Sequence, residues 1–170
     1  MFKVLLVSTG GTIEKTYDEL AGVLANHVSV LDVMLASLEL RGVAITRLAL
    51  MNKDSLEMSE ADHALIAKTV VVRATEFDGV VVVHGTDRLA HTGERIHEAL
   101  CASGGATRPV VLTGAMRPYE MRRTDAVQNL TEALVAVQIV APGVYVAMHN
   151  QVLAFPGVCK NALAGTFTKS

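Results

Sequence analysis

Residues 79–87 have the sequence Gly-Val-Val-Val-Val-His-Gly-Thr-Asp, in which four consecutive valines precede a polar and glycine-containing segment. Valine is branched at Cβ and favours extended structure, and the missing alternation with polar residues indicates a strand buried on both faces. Strands of this kind belong to parallel sheets that helices cover on both sides. Residues 79–84 therefore predict a central strand, with His84 to Asp87 at its carboxyl end.

Strand-like and helix-like segments alternate through the rest of the chain. Strands are predicted at residues 3–8, 43–50, 109–113 and 143–148, which are short apolar runs. Helices are predicted from about 30 to 40 with Ser29 as the cap, from a Ser59/Asp62 capping box to about 74, from 92 to 102, and from about 124 to 137. This alternation predicts a parallel α/β sheet with helices on both faces.

The length and composition exclude several classes of protein. A chain of 170 residues, 51% of them hydrophobic, fits one domain spanning residues 1–170 and not a disordered chain. A net charge of -2 without a basic stripe argues against nucleic-acid binding. With no CxxC motif, Cys101 and Cys159 predict neither a disulfide scaffold nor a zinc ribbon. No signal peptide or membrane-spanning run is evident, which predicts a cytoplasmic protein.

Polar residues follow most of the predicted strands and recur near the end of the chain. The segments concerned are residues 9–12 (Thr-Gly-Gly-Thr), 52–55 (Asn-Lys-Asp-Ser), 84–87 (His-Gly-Thr-Asp), 114–117 (Gly-Ala-Met-Arg) and 160–161 (Lys-Asn). Ligands of open α/β sheets bind beyond the carboxyl ends of the strands, so these segments are expected to converge on one edge. Threonine hydroxyls beside a lysine and an aspartate suggest nucleophilic chemistry, and glycines allow backbone N–H groups to approach a reacting carbonyl.

Each of these residues also has a structural interpretation when it is considered alone. Thr12 and Asp87 suit helix caps, Ser55 a turn, Tyr17 a loop anchor, Lys160 a solvated surface and His84 a hydrogen-bonded position in the core. Arg117, Arg122 and Arg123 fit either an anion site or a charged loop. A phosphate-binding loop is weakly supported, because the sequence contains neither G-x-G-x-x-G nor a Walker A motif.

Taken together, the segments resemble the bacterial-type L-asparaginase/glutaminase family. Residues 9–13 (Thr-Gly-Gly-Thr-Ile) and 84–87 (His-Gly-Thr-Asp) match its two signatures, and residues 110–118 are similar to a third family segment. Asp54-Ser55 followed by Met58 is similar to the substrate-carboxylate loop, and Lys160-Asn161 to the segment with the catalytic lysine. The resemblance covers nearly the whole chain and implies a doubly wound, flavodoxin-like, mostly parallel sheet.

The resemblance also implies roles for individual residues. Thr12 is implied as the nucleophile that attacks the side-chain amide of L-asparagine, and Tyr17 as the mobile tyrosine that assists it. Thr86 is implied as a second catalytic threonine in a polar triad with Lys160 and Asp87. The implied substrate-binding set is Gly11, Asp54, Ser55 (α-carboxylate), Gly85, Thr86, Asp87 (α-ammonium) and Ala115 (a backbone carbonyl near the leaving group). The implied reaction uses no cofactor and no metal ion, and the family implies a homo-oligomer.

The chain also departs from the family pattern. Family chains are about twice as long, with a second domain from which a neighbouring subunit lends a glutamate to each site. Leu56 stands where the family usually has glutamine, and His91 lies where acidic residues are common. Three alternatives therefore stay open beside an asparaginase: a glutaminase or dual enzyme, a non-catalytic amino-acid-binding domain, and the amidase half of an ammonia-channelling complex.

Overall fold

The computed structural model describes residues 1–169 of the chain. The elements, in order, are β1 (Phe2–Gly10), β2 (Thr16–Asp18), β3 (Val23–Ala25), α1 (Leu31–Ala36), β4 (Val43–Lys53), α2 (Glu60–Arg73), β5 (Gly79–Val83), α3 (Leu89–Ala102), β6 (Pro109–Thr113), α4 (Ala126–Ile139), β7 (Gly143–Met148), β8 (Gln151–Ala154), β9 (Val158–Asn161) and β10 (Thr166–Lys169). Single 3-10 turns at Thr12–Glu14 and Ser55–Glu57 follow β1 and β4.

Six strands form one mixed sheet in the order β4-β1-β5-β6-β7-β8. The first five are mutually parallel, and β8 pairs with β7 in the antiparallel direction. Among the parallel strands this is the flavodoxin-like order 2-1-3-4-5, in which the connection reverses between β1 and β5. The predicted α/β class and its mostly parallel, doubly wound sheet are confirmed. Two hairpins, β2–β3 and β9–β10, lie outside this sheet.

The valine strand separates two apolar cores, one on each face of the sheet. Val80 and Val82 face the core that α2 and α3 cover, whereas Val81 and Val83 face the core that α1 and α4 cover. All four side chains are fully buried. Successive side chains of a strand point to opposite faces, so a run of valines supplies both cores at once.

Several predicted boundaries were wrong, most clearly at the first helix. Helix α1 has six residues instead of about eleven, and its N-cap is Val30, which offers no capping side chain. Ser29 lies one residue before the cap, and its hydroxyl donates to Glu14 while it accepts from Arg47 and, at 3.4 Å, from the Leu31 N–H. The capping box at Ser59 and Asp62 is confirmed.

The other helices shift by a few residues, and five strands were not predicted. Helix α3 begins three residues earlier than predicted, at Leu89, and α4 spans Ala126–Ile139. Strands β2, β3, β8, β9 and β10 have three or four residues each, too short for a hydrophobic period to mark them.

Helix α3 approaches Phe155, the residue that follows β8, so closely that only glycine fits at one position. A Cβ added to Gly93 would lie 2.1 Å from the Phe155 ring, which is itself buried. We expect Gly93→Ala to lower the free energy of unfolding by about 1–3 kcal/mol through overpacking, although alanine is the better helix former. Denaturant unfolding of the purified variant measures this change.

Gly42→Ala is the matched control, because its new Cβ would meet only the Gln138 side chain, at 3.8 Å. A Gly93→Ala protein as stable as the Gly42→Ala protein would contradict the packing described for α3 and Phe155.

Candidate functional site

The carboxyl ends of the neighbouring strands β1 and β5 bring two glycine-containing loops into direct backbone contact. Gly11 has a φ of +82°, and a Cβ added there would lie 2.3 Å from the Gly85 Cα. A Cβ on Gly85 would lie 2.5 Å from the Ser55 hydroxyl. Both positions therefore require glycine, and their contact holds together the loops that carry Thr12, Ser55 and Thr86.

A lysine from the β9–β10 hairpin joins this contact. The Lys160 Nζ donates hydrogen bonds to Thr86 Oγ1 at 2.9 Å and to Asp87 Oδ1 at 2.8 Å. Lys160 lies 73 and 74 residues away from these partners in the chain. The structure thus brings together the three polar residues that the resemblance grouped as a triad.

Ser55 lies beneath the same contact with an unsatisfied hydroxyl. Its side chain is completely buried at the start of the turn after β4, and its Oγ has no hydrogen-bond partner among residues 1–169. A buried hydroxyl without a partner has a desolvation cost, which a polar ligand can remove. Ser55 is therefore suited to bind a polar group of a small molecule.

Asp54 has a different environment from its neighbour Ser55. One of its carboxylate oxygens accepts from Lys15 Nζ at 2.6 Å, and the other accepts from the Leu56 N–H at 3.0 Å. These hydrogen bonds, from Lys15 first and then from Leu56, lower the pKa of the Asp54 carboxyl. Both oxygens thus have partners within the chain, and Asp54 links the turn after β4 to the segment that follows Thr12.

Thr12 and Tyr17 are less constrained than the lysine triad. Thr12 begins the 3-10 turn after Gly11, and its hydroxyl forms no hydrogen bond with any residue that the structure describes. Tyr17 lies in β2 and is 58% exposed, and its backbone N–H donates to Glu120. Within residues 1–169, no hydrogen bond joins Tyr17 to Thr12.

The turn that contains Thr12 is held from within by a buried carboxyl group. Glu14 is 1% exposed and accepts hydrogen bonds from the Gly10 N–H and from the Ser29 hydroxyl. Burial raises the pKa of Glu14, while the Ser29 hydrogen bond and the charge of Arg47 oppose that shift. Sequence reasoning missed Glu14, because an acidic residue just after Thr12 is more typical of a solvated turn.

The loop after β6 is held by Asp125. The Met116 and Arg117 N–H groups each donate to this carboxylate at 3.0 Å, just after the buried Ala115. Burial alone would raise the pKa of Asp125, but these N–H groups and the His149 ring bring it below its usual value. No motif in the sequence marks Asp125 as a functional residue, because it falls within a segment predicted only as a helix.

His84 is confirmed as a hydrogen-bonded core histidine. Its Nδ1 is 2.8 Å from the Gly85 carbonyl oxygen and its Nε2 is 2.8 Å from Thr92 Oγ1, which in turn is 2.7 Å from His63 Nδ1. The carbonyl can only accept, so the proton of the neutral ring is on Nδ1. The ring therefore fixes the peptide between Gly85 and Thr86 and turns the Thr86 N–H to the opposite side.

Two further features bear on the class of protein. Across the described part of the chain, no group of three or more His, Cys, Asp or Glu side chains is arranged to hold a metal ion. No helix among residues 1–169 is long and apolar enough to span a bilayer.

An α/β sheet with threonine and aspartate side chains at the carboxyl ends of its central strands, contacted by a lysine from a separate hairpin, is the arrangement of an asparaginase-type amidohydrolase domain. The family model "Asparaginase, N-terminal" matches residues 3–165, and the chain belongs to this family. The resemblance stated from the sequence is therefore confirmed.

Known relatives extend this match. An L-asparaginase of Thermococcus kodakarensis is 33% identical over 160 residues, which are 93% of this chain and 47% of the relative. The solved structure of the thermostable L-asparaginase from the same organism superposes with a TM-score of 0.85 at 31% identity, covering 98% of this chain and 51% of that one. A glutamyl-tRNA(Gln) amidotransferase subunit of Haloquadratum walsbyi is 35% identical over 149 residues, 86% of this chain and 33% of the relative. The chain thus spans between a third and a half of these relatives.

The burial of His84 predicts a specific dependence of stability on pH. Desolvation lowers the pKa of His84 to about 4 from the ordinary 6.5. The unfolded chain binds a proton near pH 6.5 and the folded chain only near pH 4, so the free energy of unfolding falls as the pH drops through this window. The slope from one such histidine is at most about 1.4 kcal/mol per pH unit.

Denaturant unfolding at several pH values, on wild type and on His84→Asn, measures this contribution. The variant is expected to lose less stability between pH 6.5 and 4 than the wild type does. Equal slopes in the two proteins, or an NMR titration of the His84 ring near its ordinary value, would show that the ring is not held neutral by burial.

Proposed function

We propose that the chain is an amidohydrolase that converts L-asparagine to L-aspartate and ammonia through a threonine ester. The observation that carries the proposal is the pair of hydrogen bonds from Lys160 Nζ to Thr86 and Asp87, beside the glycine contact that precedes Thr12. A binding domain needs a complementary pocket but no ammonium group directed at a threonine hydroxyl. The arrangement therefore favours turnover over binding alone.

The proposed reaction has two halves. The Thr12 oxygen attacks the side-chain amide carbon of asparagine, its proton goes to the departing nitrogen, and the C–N bond breaks to release ammonia. Water then attacks the resulting ester, which frees aspartate and restores the Thr12 hydroxyl. Thr86, which accepts a hydrogen bond from Lys160, is proposed to relay a proton in both halves.

Charge on the tetrahedral oxygen is proposed to be met by backbone N–H groups. The His84 ring holds the Gly85 carbonyl, so that the Thr86 N–H faces away from the core. A preorganised donor of this kind stabilises a developing oxyanion without reorganisation during the reaction.

Recognition of the amino acid is proposed for the residues around the glycine contact. The unsatisfied Ser55 hydroxyl is proposed to bind the α-carboxylate, and Asp87, with 44% of its side chain exposed, the α-ammonium. The proposed binding region for the amino acid is also lined by Gly11, Gly85 and the backbone of Ala115. Asp54 contributes indirectly, since Lys15 and the Leu56 N–H already occupy its oxygens. Participation of Tyr17, a cytoplasmic location and a homo-oligomeric assembly stay predictions.

A second candidate function is that of an ammonia-supplying subunit that hydrolyses glutamine or asparagine for a partner enzyme. It is favoured by the similarity to a glutamyl-tRNA(Gln) amidotransferase subunit, of which the chain spans a third. Discrimination over one methylene group amounts to only about 1–3 kcal/mol, so activity on both amides is compatible with one site.

Ammonia release from L-asparagine and L-glutamine at matched concentrations tests the function directly. Replacement of the proposed nucleophile in Thr12→Val should lower kcat by about 10⁴-fold or more, with the melting temperature nearly unchanged. Thr16→Val, a change of the same residue type in β2, is the control and should keep wild-type turnover.

Several outcomes of this assay would overturn one proposal or the other. Binding of asparagine by the wild type without ammonia release would make the chain a binding domain. Release that persists in Thr12→Val would remove Thr12 as the nucleophile. Release from glutamine alone, with a partner protein that copurifies, would favour the second candidate.

Removal of the lysine should affect turnover more than stability. Lys160→Met deletes the ammonium group that polarises Thr86 and keeps much of the side-chain volume, so kcat is expected to fall by about 10²–10⁴-fold. Lys169→Met, in the same hairpin on an exposed position, should leave kcat unchanged. Equal losses of kcat in the two variants would mean that turnover depends on the positive charge of the hairpin and not on the specific contacts of Lys160.

A further inference from the structure

The hairpin that carries Lys160 is not part of the main sheet, so other contacts must fix its position. Val158 and Phe167 anchor it, because both side chains are almost fully buried in the core beneath α2 and α3. Apolar contacts of this kind hold the hairpin against the domain but are not directional. The ammonium group of Lys160 nevertheless contacts two specific oxygens, on Thr86 and on Asp87.

A polar bridge connects the hairpin to the opposite side of the site. Thr166, the first residue of β10, pairs with Asn161, the residue that follows Lys160 in β9. Its hydroxyl is 3.1 Å from His149 Nδ1, and the other nitrogen of that ring, Nε2, is 2.8 Å from Asp125 Oδ2. The His149 imidazole therefore spans the gap between β10 and the start of α4.

The donor and the acceptor can be assigned for both hydrogen bonds of this bridge. The low pKa of Asp125 keeps its carboxylate ionised, and an ionised carboxylate only accepts hydrogen bonds. His149 Nε2 therefore carries a proton and donates it to Asp125. In the neutral ring Nδ1 accepts, so the Thr166 hydroxyl donates to His149.

The same carboxylate holds the loop that contains Ala115. Asp125 accepts the N–H groups of Met116 and Arg117, two and three residues after Gly114. A Cβ on Gly114 would lie 2.3 Å from the His84 carbonyl oxygen, so this loop rests on the segment that leads into Thr86. The contacts form a closed circuit, from Thr86 through Lys160, the hairpin, His149 and Asp125 back to the segment before Thr86.

The backbone at His149 lies in the left-handed region, which non-glycine residues adopt uncommonly. His149 and Asn150 are the two residues between β7 and β8, with φ of 53° and 62°, and they are the only non-glycine residues with positive φ in the described chain. A two-residue turn with both φ values positive favours asparagine or aspartate at its first position and glycine at its second. Asparagine would suit the turn better than histidine does, but it is too short to bridge Thr166 and Asp125.

We infer that His149 is a positioning residue for the proposed amide hydrolysis, whose ring couples the Lys160 hairpin to the Gly114–Arg117 loop through Thr166 and Asp125. The expected effect of His149 on turnover rests on the proposed function. The coupling itself rests on the observed hydrogen bonds of the His149 ring. Loss of the bridge would remove a direct connection between the hairpin of Lys160 and the loop of Ala115, and so allow a small shift of one relative to the other. A shift of about 1 Å from outside the reacting groups can cost up to about 10²-fold in rate.

His149→Asn and Thr166→Val test the effect on turnover. Each removes one end of the bridge, and each should lower kcat by about 10-fold or more with little change in KM. The double variant should be no slower than the worse single variant, because both substitutions break the same connection. The melting temperature of His149→Asn should change little, since the better fit of asparagine in the turn offsets part of the cost of the two lost hydrogen bonds.

Two controls separate positioning from general stability. Asn150→Gly changes the other residue of the same turn, and Thr168→Val changes the next threonine of β10, whose hydroxyl lies near Cys159 Sγ. Both controls should keep wild-type kcat. Unchanged kcat in His149→Asn, or a loss matched by Asn150→Gly, would overturn the positioning role.

Hydrogen exchange tests the coupling without any assay of activity. In His149→Asn the Met116 and Arg117 amides and the β9–β10 amides should all exchange faster than in wild type and in Asn150→Gly. Unchanged exchange in either segment would overturn the coupling. If the wild type releases no ammonia, the proposed function fails, and faster exchange in both segments would still support the coupling.

Discussion

The backbone contact between Gly11 and Gly85 is the constraint on which the candidate site depends. It occurs where β1 and β5 lie side by side and the direction of the chain connections reverses, the point at which open α/β sheets bind their ligands. The two loops approach each other at backbone distance, and this approach leaves no room for a Cβ at either glycine. Thr12 and Thr86 each follow one of these glycines directly, so their hydroxyls belong to one small region.

Rigid supports surround this contact on several sides. The Glu14 carboxyl holds the turn of Thr12 from within, the His84 ring holds the peptide before Thr86, and Asp125 holds the loop of Ala115. Each support is a buried polar group with its partners in place, which is costly to disrupt in a low-dielectric interior. By contrast, Thr12 and Ser55 keep hydroxyls without partners among residues 1–169, as expected of groups that act on a ligand. The arrangement combines a preorganised frame with a few free polar atoms.

The sequence predicts the central strand and the convergence of the site residues better than it predicts the short strands and the polar bridge around them. Four consecutive valines predict a strand buried on both faces, and the order of polar segments after the strands predicts that Thr86, Asp87 and Lys160 converge. Strands β8 to β10 were missed, because their four residues each are too few to carry a hydrophobic period. His149 and Asp125 were missed as well, since their bridge joins residues 24 positions apart whose neighbours give no chemical signal. Helix α1 was predicted too long at its C-terminal end, because it ends at Ala36, where the Ser37 hydroxyl donates to the Met34 carbonyl oxygen.

Locating the residue that carries the ester tests the proposed function most directly. The lysine triad contacts Thr86, whereas the proposal assigns the covalent bond to Thr12. Acid quenching during turnover of L-asparagine, followed by peptide mass spectrometry, locates the bond. The proposal predicts one aspartyl group on the peptide that contains Thr12 and none on the peptide that contains Thr86. An aspartyl group on Thr86, or turnover with no covalent adduct under conditions that trap such esters, would contradict it.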